Sequence, residues 1–216
     1  MKKNHVFLLL IFIFTLLTNE KVVGQKMTDF QPQHEIRIGI GCKPFEAANI
    51  SFGDAWFDFD YPIIDFNAKD YYSGARYTTN AIFGEYVYQA NSWFGVGATL
   101  TYFSYFNNYY TAENDSYVGR NIINHFSVFP TLRFSWLKRP AFSMYTSLGL
   151  GMRFVSESDR IRNVETTDYR NGISGQFTLL GLTIGKKVYC FSDLSTIGTQ
   201  GFITVGLGYR FVSFKR

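Results

Sequence analysis

Past its first two dozen residues, the 216-residue chain contains no long hydrophobic run. A membrane-spanning helix needs about 20 consecutive apolar residues, so if this part of the chain crosses a bilayer it does so as strands. An excess of charge of one sign is missing as well. The 21 Lys and Arg against 17 Asp and Glu give a formal charge of only +4, which offers no basic footprint for nucleic acid. Cysteine is nearly absent: Cys42 and Cys190 are the only two. A disulfide is the default for a pair in an exported chain, but these fall on the strands placed first and seventh below, which are not neighbours in an eight-membered ring. Two free thiols facing lipid are expected. What the chain does have is aromatics, 19% of its residues, and 19 glycines, at a mean hydropathy of −0.05. That composition is too aromatic and too low in charge for a disordered chain.

Residues 1–24 read as a secretory signal peptide: Lys2 and Lys3 form a basic start, Val6 to Leu17 an apolar core, and Val22-Val23-Gly24 a small-residue cleavage site. Removal takes Lys2, Lys3, Lys21 and Glu20, so 18 basic residues face 16 acidic ones and the charge falls to +2. Ile40-Gly41-Cys42 looks like the end of a lipoprotein signal but lies too far from the apolar core for lipidation. Residues 25–33 are a polar periplasmic lead-in, and 34–216 form one domain.

The organising stretch is Thr204-Val205-Gly206-Leu207-Gly208-Tyr209-Arg210-Phe211. Successive side chains leave a strand on opposite faces, so Val205, Leu207, Tyr209 and Phe211 share one face while Thr204, Gly206, Gly208 and Arg210 share the other. An apolar face opposite small residues and a charge suits a strand with lipid on one side and a packed lumen on the other. The same stretch, with Thr204, Gly206, Tyr209 and Phe211 at its marked positions, is similar to the terminal insertion signal of the small eight-stranded outer-membrane barrels of Gram-negative bacteria, the OmpA-like and OmpX-like family. The chain continues past it through Val212 to Arg216. The resemblance implies an all-β, eight-stranded antiparallel up-and-down transmembrane β-barrel. It further implies outer-membrane lipid and the barrel-assembly machinery as partners, a monomer, and both termini in the periplasm.

Alternation along the chain predicts the other seven strands: Glu35–Gly41, about Thr78–Gln89, Trp93–Tyr105, Ile122–Leu137, Phe142–Val155, a segment around Leu180–Gly185, and Val188–Ser195. Pro130 has no N–H for the ladder and marks a bulge or weak point. Ala90-Asn91-Ser92, Lys138-Arg139-Pro140 and Lys186-Lys187 are short turns, whereas 46–75, 107–121 and 156–175 are long polar connections, the alternation expected of periplasmic turns and extracellular loops. Alternation within 46–75 could extend the flanking strands. An Arg or Lys on the lipid face costs about 2–4 kcal/mol at the midplane. That penalty sets the parity, putting Glu35, Arg37, Glu85, Arg133, Arg153, Asp193 and Arg210 inside. Ten glycines share that inward parity and leave room for long side chains, so the lumen is expected to be plugged. Neighbouring strands should pair Arg37 with Glu85 and Arg210 with Glu35.

Three functional readings follow. The first is a non-enzymatic envelope barrel that acts through its extracellular loops. The first loop, with Trp56, Phe57, Phe59 and Tyr61 among nine aromatics between Phe45 and Tyr72, would be the contact surface for an extracellular ligand. The interleaved aspartates lack an EF-hand spacing, so no metal is expected, and no cofactor. The second is a hydrolase. His125 and Ser127 resemble the His-x-Ser element of outer-membrane lipid A deacylases, as base and nucleophile, but Val128 stands where that family has Asn and the next strand offers no acid. A hydrogen-bonded pair high in the lumen is the plainer account. The third is a narrow channel.

Overall fold

The computed structural model describes residues 30–42, 71–162 and 164–212. Nine strands make up nearly all of it: β1 (Gln33–Cys42), β2 (Tyr71–Thr78), β3 (Ala81–Gln89), β4 (Phe94–Thr111), β5 (Tyr117–Arg139), β6 (Phe142–Ile161), β7 (Val164–Gly185), β8 (Val188–Ile197) and β9 (Ile203–Val212). All pairings are antiparallel, and β4–β5 pairing closes the order β4-β3-β1-β9-β8-β7-β6-β5 into a ring of eight. The chain is therefore an all-β, eight-stranded, up-and-down barrel. The ninth strand, β2, sits on the same edge of β4 as β3 but farther along it, opposite Tyr105–Thr111. Thr79 bridges the break, receiving a hydrogen bond from the Ser104 N–H at its hydroxyl and donating its own N–H to the Ser104 carbonyl.

Two expected connections are strand instead. Residues 107–111 and 117–121 belong to β4 and β5, and 156–161 and 164–175 to β6 and β7, which leaves a turn of a few residues at 112–116 and another at Arg162. At 23 residues, β5 runs roughly 75 Å along its axis, or roughly 50–60 Å of height at the tilt of a barrel strand. An apolar band is about 25 Å tall, so β4–β7 rise well beyond it as a wall. β8 and β9, at ten residues each, stop far lower, and β1 is described as far as Cys42. Among the described residues β8 pairs with β7 only from Phe177 downward.

Outside, the belt is apolar: Ile36, Ile38, Ile40, Ile82, Val96, Leu100, Leu132, Leu148, Leu150, Leu207 and their neighbours are exposed. Aromatics border it below at Tyr86, Trp93, Phe134, Tyr209 and Phe211 and above at Tyr102, Phe126 and Phe154. Cys42 and Cys190 are free and exposed on this surface. Pro130 is exposed, and pairing between β5 and β6 skips from Val128–Met152 to Thr131–Gly149 with the register kept. A bulge lies elsewhere on β5, between Ser135 and Leu137, and another where Thr146 faces Leu179 and Leu180.

Inside, glycines stand opposite rings. A methyl group at Gly181 would fall on the Tyr145 ring and one at Gly208 on the Tyr189 ring, while Gly39 gives way to Phe83 and Phe191. Overpacking of this kind costs about 1–3 kcal/mol. Gly181→Val should therefore lower the urea midpoint of the refolded barrel, and Gly84→Val, which faces outward with nothing within 4 Å, should leave it unchanged. Equal behaviour of the two would mean that the lumen is not packed.

Candidate functional site

The lower lumen is built from the inward positions of seven strands. Arg37 on β1 lies against Glu85 on β3, its neighbour in the ladder, and reaches across to Asp193 on β8 at 3.1 Å. Arg133 on β5 holds both Glu35 and Glu85 at 2.8 Å. Arg210 on β9 meets Glu35 at 3.0 Å, directly opposite it in the register. The three carboxylates and three guanidiniums are all buried. Removing such ions from water is repaid only if the remaining donors and acceptors are satisfied, and neutral groups supply part of this here, while Arg133 Nε has no hydrogen-bond partner among the described residues and Asp193 Oδ2 has only its ion pair with Arg37. Arg37 donates to the Tyr145 hydroxyl, which in turn donates to Asp193. Tyr189 donates to Glu35 at 3.1 Å, and Arg210 donates to Thr183 at 2.7 Å and to the Gly185 carbonyl at 3.1 Å. Guanidinium planes also lie over rings, Arg210 over Tyr189 at 4.0 Å and Arg133 over Tyr145 at 4.4 Å.

A fourth cation belongs to this cluster, and sequence reasoning placed it in a turn. The bulge at Trp136 shifts β5 by one residue, so Lys138 points inward and approaches Glu35 at 3.7 Å. The contacts Arg133–Glu35 and Arg37–Asp193 also went unforeseen, because they join strands that are not ring neighbours.

The upper lumen is chemically different. Arg153 is buried here, away from the lower cluster, directly opposite Ser127, which is itself opposite Thr101. His125, two residues along β5, is fully buried and stacks on Phe103 at 4.5 Å with Tyr105 edge-on at 5.2 Å. His125 and Ser127 share a face but form no hydrogen bond; both ring nitrogens and the Ser127 hydroxyl lack a partner among the described residues. The expected hydrogen-bonded pair is therefore not made, since the imidazole is held flat against a ring instead. His125 thus does not contact Ser127, and both face the lumen rather than the lipid side.

Higher still, the inner face of the wall carries its own polar set. Asn121 donates to Asp159 at 2.6 Å and to Glu157 at 3.0 Å, and Arg170 pairs with Glu157. Burial and the nearby Asp159 push the Tyr109 hydroxyl up to about 12, which keeps it a neutral donor to that carboxylate at 3.4 Å.

In the terminal motif, Thr204 is buried and Gly206 faces inward, whereas Tyr209 and Phe211 face out. Phe211 stacks on His34 of β1 at 5.1 Å across the seam where first and last strands join. The aromatic surface Trp56, Phe57, Phe59 and Tyr61 lies outside the described residues, as do residues 1–24. Among the described residues no group of His, Cys, Asp and Glu is arranged to hold a metal.

No protein-family model matches the sequence, and no curated protein does. Among solved structures the chain is similar to Ail, the attachment invasion locus protein of Yersinia pestis, at 15% identity over 84% of this chain and 100% of that one, with a TM-score of 0.42. The same protein in complex with the heparin analogue sucrose octasulfate gives 0.45 at the same identity and coverage. The N-terminal β-barrel domain of OprF from Pseudomonas aeruginosa gives 0.39 at 12% identity, over 84% of this chain and 98% of that one.

Proposed function

We propose that the chain is a non-enzymatic outer-membrane barrel with a plugged lumen, contributing to envelope structure or to cell-surface interaction through the part that rises above the bilayer. The observation that carries this reading is the separation of chemistry across one wall. Ile36, Ile38, Leu148, Leu150 and Leu207 are exposed in a continuous belt, while Glu35, Arg37, Glu85, Arg133, Asp193 and Arg210 are sequestered behind it. A water-soluble barrel would have the reverse arrangement. Gln33 and the short connections after β3, β5 and β7 lie at one end, which supports a periplasmic location for both termini. The tall wall of β4–β7 then faces outward from the cell.

Separating inner and outer membranes should place the protein in the outer-membrane fraction, with a gel mobility that changes on boiling. In planar bilayers it should conduct poorly, because Arg37, Tyr145, Phe83 and Phe129 fill the lumen. Steady conductance steps from the wild-type protein would favour the channel reading instead. Release of fatty acid from lipid A that is lost in Ser127→Ala would restore the hydrolase.

A further inference from the structure

We propose that the outward side of the β5–β7 wall, just above the apolar belt, is a docking surface for a phosphorylated glycolipid of the surrounding leaflet, with its sugar headgroup in a lateral groove and its phosphate on Arg120 and Arg160. The inference rests on the reading of the chain as an outer-membrane barrel and adds the class of lipid that the barrel takes at its flank. The groove, of about 230 Å³, is lined by Asn124, Phe126, Phe154, Ser156, Tyr169 and Asn171. Two adjacent outward rungs build it, Phe126, Phe154 and Asn171 below and Asn124, Ser156 and Tyr169 above. Its floor is therefore two aromatic rings, 6.3 Å apart, and its upper part is amide, hydroxyl and phenol. The Asn124 carbonyl already accepts from Tyr102 at 3.0 Å, so the amide NH2 is the end a ligand would meet. The next rung down, Val128, Met152 and Ile173, is exposed and apolar. Acyl chain below and sugar hydroxyls above is the order that these rungs match.

The phosphate comes from a separate observation. Arg120 and Arg160 stand directly opposite each other on β5 and β6, two outward rungs above Asn124 and Ser156. Like charges so placed destabilise a ladder. Glu165 meets Arg160 at 2.8 Å, but that pair is exposed and such pairs contribute little, while Arg120 lies over the Phe106 ring at 4.4 Å. An oxyanion between the two guanidiniums turns the repulsion into attraction, and their planar forks suit a phosphate. Height selects the lipid. The arginines lie six residues beyond the Phe126–Phe154 rung, about 20 Å along the strands and about 14–17 Å in height at a tilt of 35–45°. The headgroup layer of an ordinary phospholipid leaflet is only about 5–8 Å thick, so its phosphate stays below them. A headgroup of several phosphorylated sugars reaches them, and its acyl chains continue onto the belt of the same strands.

The test uses the full-length barrel refolded in detergent micelles and titrated with rough lipopolysaccharide carrying a phosphorylated core, with the same material dephosphorylated, and with phosphatidylglycerol, bound lipid being counted by native mass spectrometry. The wild type should hold the phosphorylated glycolipid at least tenfold more tightly than either of the other two. Arg120→Gln combined with Arg160→Gln should lose that preference, yet leave the thermal midpoint in lipid-free micelles unchanged or higher, because a like-charged pair has been removed. Tyr169→Ala combined with Asn171→Ala should weaken the phosphorylated and dephosphorylated glycolipids alike, since these side chains meet sugar. The proposal is overturned if the wild type holds phosphatidylglycerol as tightly as the glycolipid, or if the double arginine variant keeps the preference. Either result from a barrel that fractionates with the outer membrane and shifts on boiling removes this inference alone, whereas a chain missing from that fraction removes the outer-membrane reading with it.

Discussion

Glu85→Ala should lower the stability of the refolded barrel by about 3–5 kcal/mol, the cost of leaving buried ions without their counter-charge. Glu85 Oε2 receives both Arg37 and Arg133. Its removal leaves four cations, Arg37, Arg133, Arg210 and Lys138, facing Glu35 and Asp193 alone among the described residues, within a space closed to water by Phe83, Tyr145 and Tyr189. Glu85→Gln should cost less, since it retains an acceptor of the same shape. Lys138→Ala should cost about 0–1 kcal/mol, because its contact with Glu35 is long and the lysine adds to the excess of positive charge. The measurement is the urea midpoint followed by gel mobility in micelles. If Glu85→Ala unfolds within about 1 kcal/mol of the wild type, the guanidiniums are hydrated, the lumen is wet, and the channel reading gains.

Much of this cluster was legible because a single rule governed it. Where one face of a strand touches lipid, the other must take every ion, so Ile36, Ile38 and Ile40 between Glu35, Arg37 and Gly39 fix both faces at once. The rule loses its grip where lipid ends. In 107–121 and 156–175 both faces are polar, as with Asn108 and Arg120 outside and Asn107 and Asn121 inside, so no apolar alternation marks them. The ladder there is held by main-chain bonds that any residue can make. Bulges are the other blind spot. Nothing in Ser135-Trp136-Leu137 announces the extra residue that turns Lys138 inward, and Leu179-Leu180 conceals a similar shift. Cross-lumen partners such as Arg133 and Glu35 depend on side-chain reach and strand tilt, which ring adjacency does not encode. For the upper lumen, composition suggested a bonded His125–Ser127 pair. Stacking on Phe103 overrode it, because an aromatic ring on the adjacent strand at the same rung competes for the imidazole plane.

A charge placed on the outer face should measure where the bilayer lies. Leu150→Arg should destabilise the barrel by about 2–4 kcal/mol in lipid, the cost of an arginine near the midplane, whereas Ser156→Arg should cost about 0–1 kcal/mol, as at the interface. Both positions face outward on β6, six residues apart, and Leu150 is 63% exposed. Between them lies Phe154, which with Phe126 and Tyr102 forms the upper aromatic border. The rows above it turn polar with Ser104, Asn124 and Ser156, where Tyr102 donates to Asn124 at 3.0 Å. The two arginines differ little in strand geometry, so a difference between them reports the surrounding solvent. Unfolding should be compared in phospholipid vesicles and in a soluble amphipol, where the gap between the variants should narrow. Equal costs for Leu150→Arg and Ser156→Arg in vesicles would mean that the apolar belt does not sit in hydrocarbon, and the outward face of the barrel would then need a protein partner to cover it.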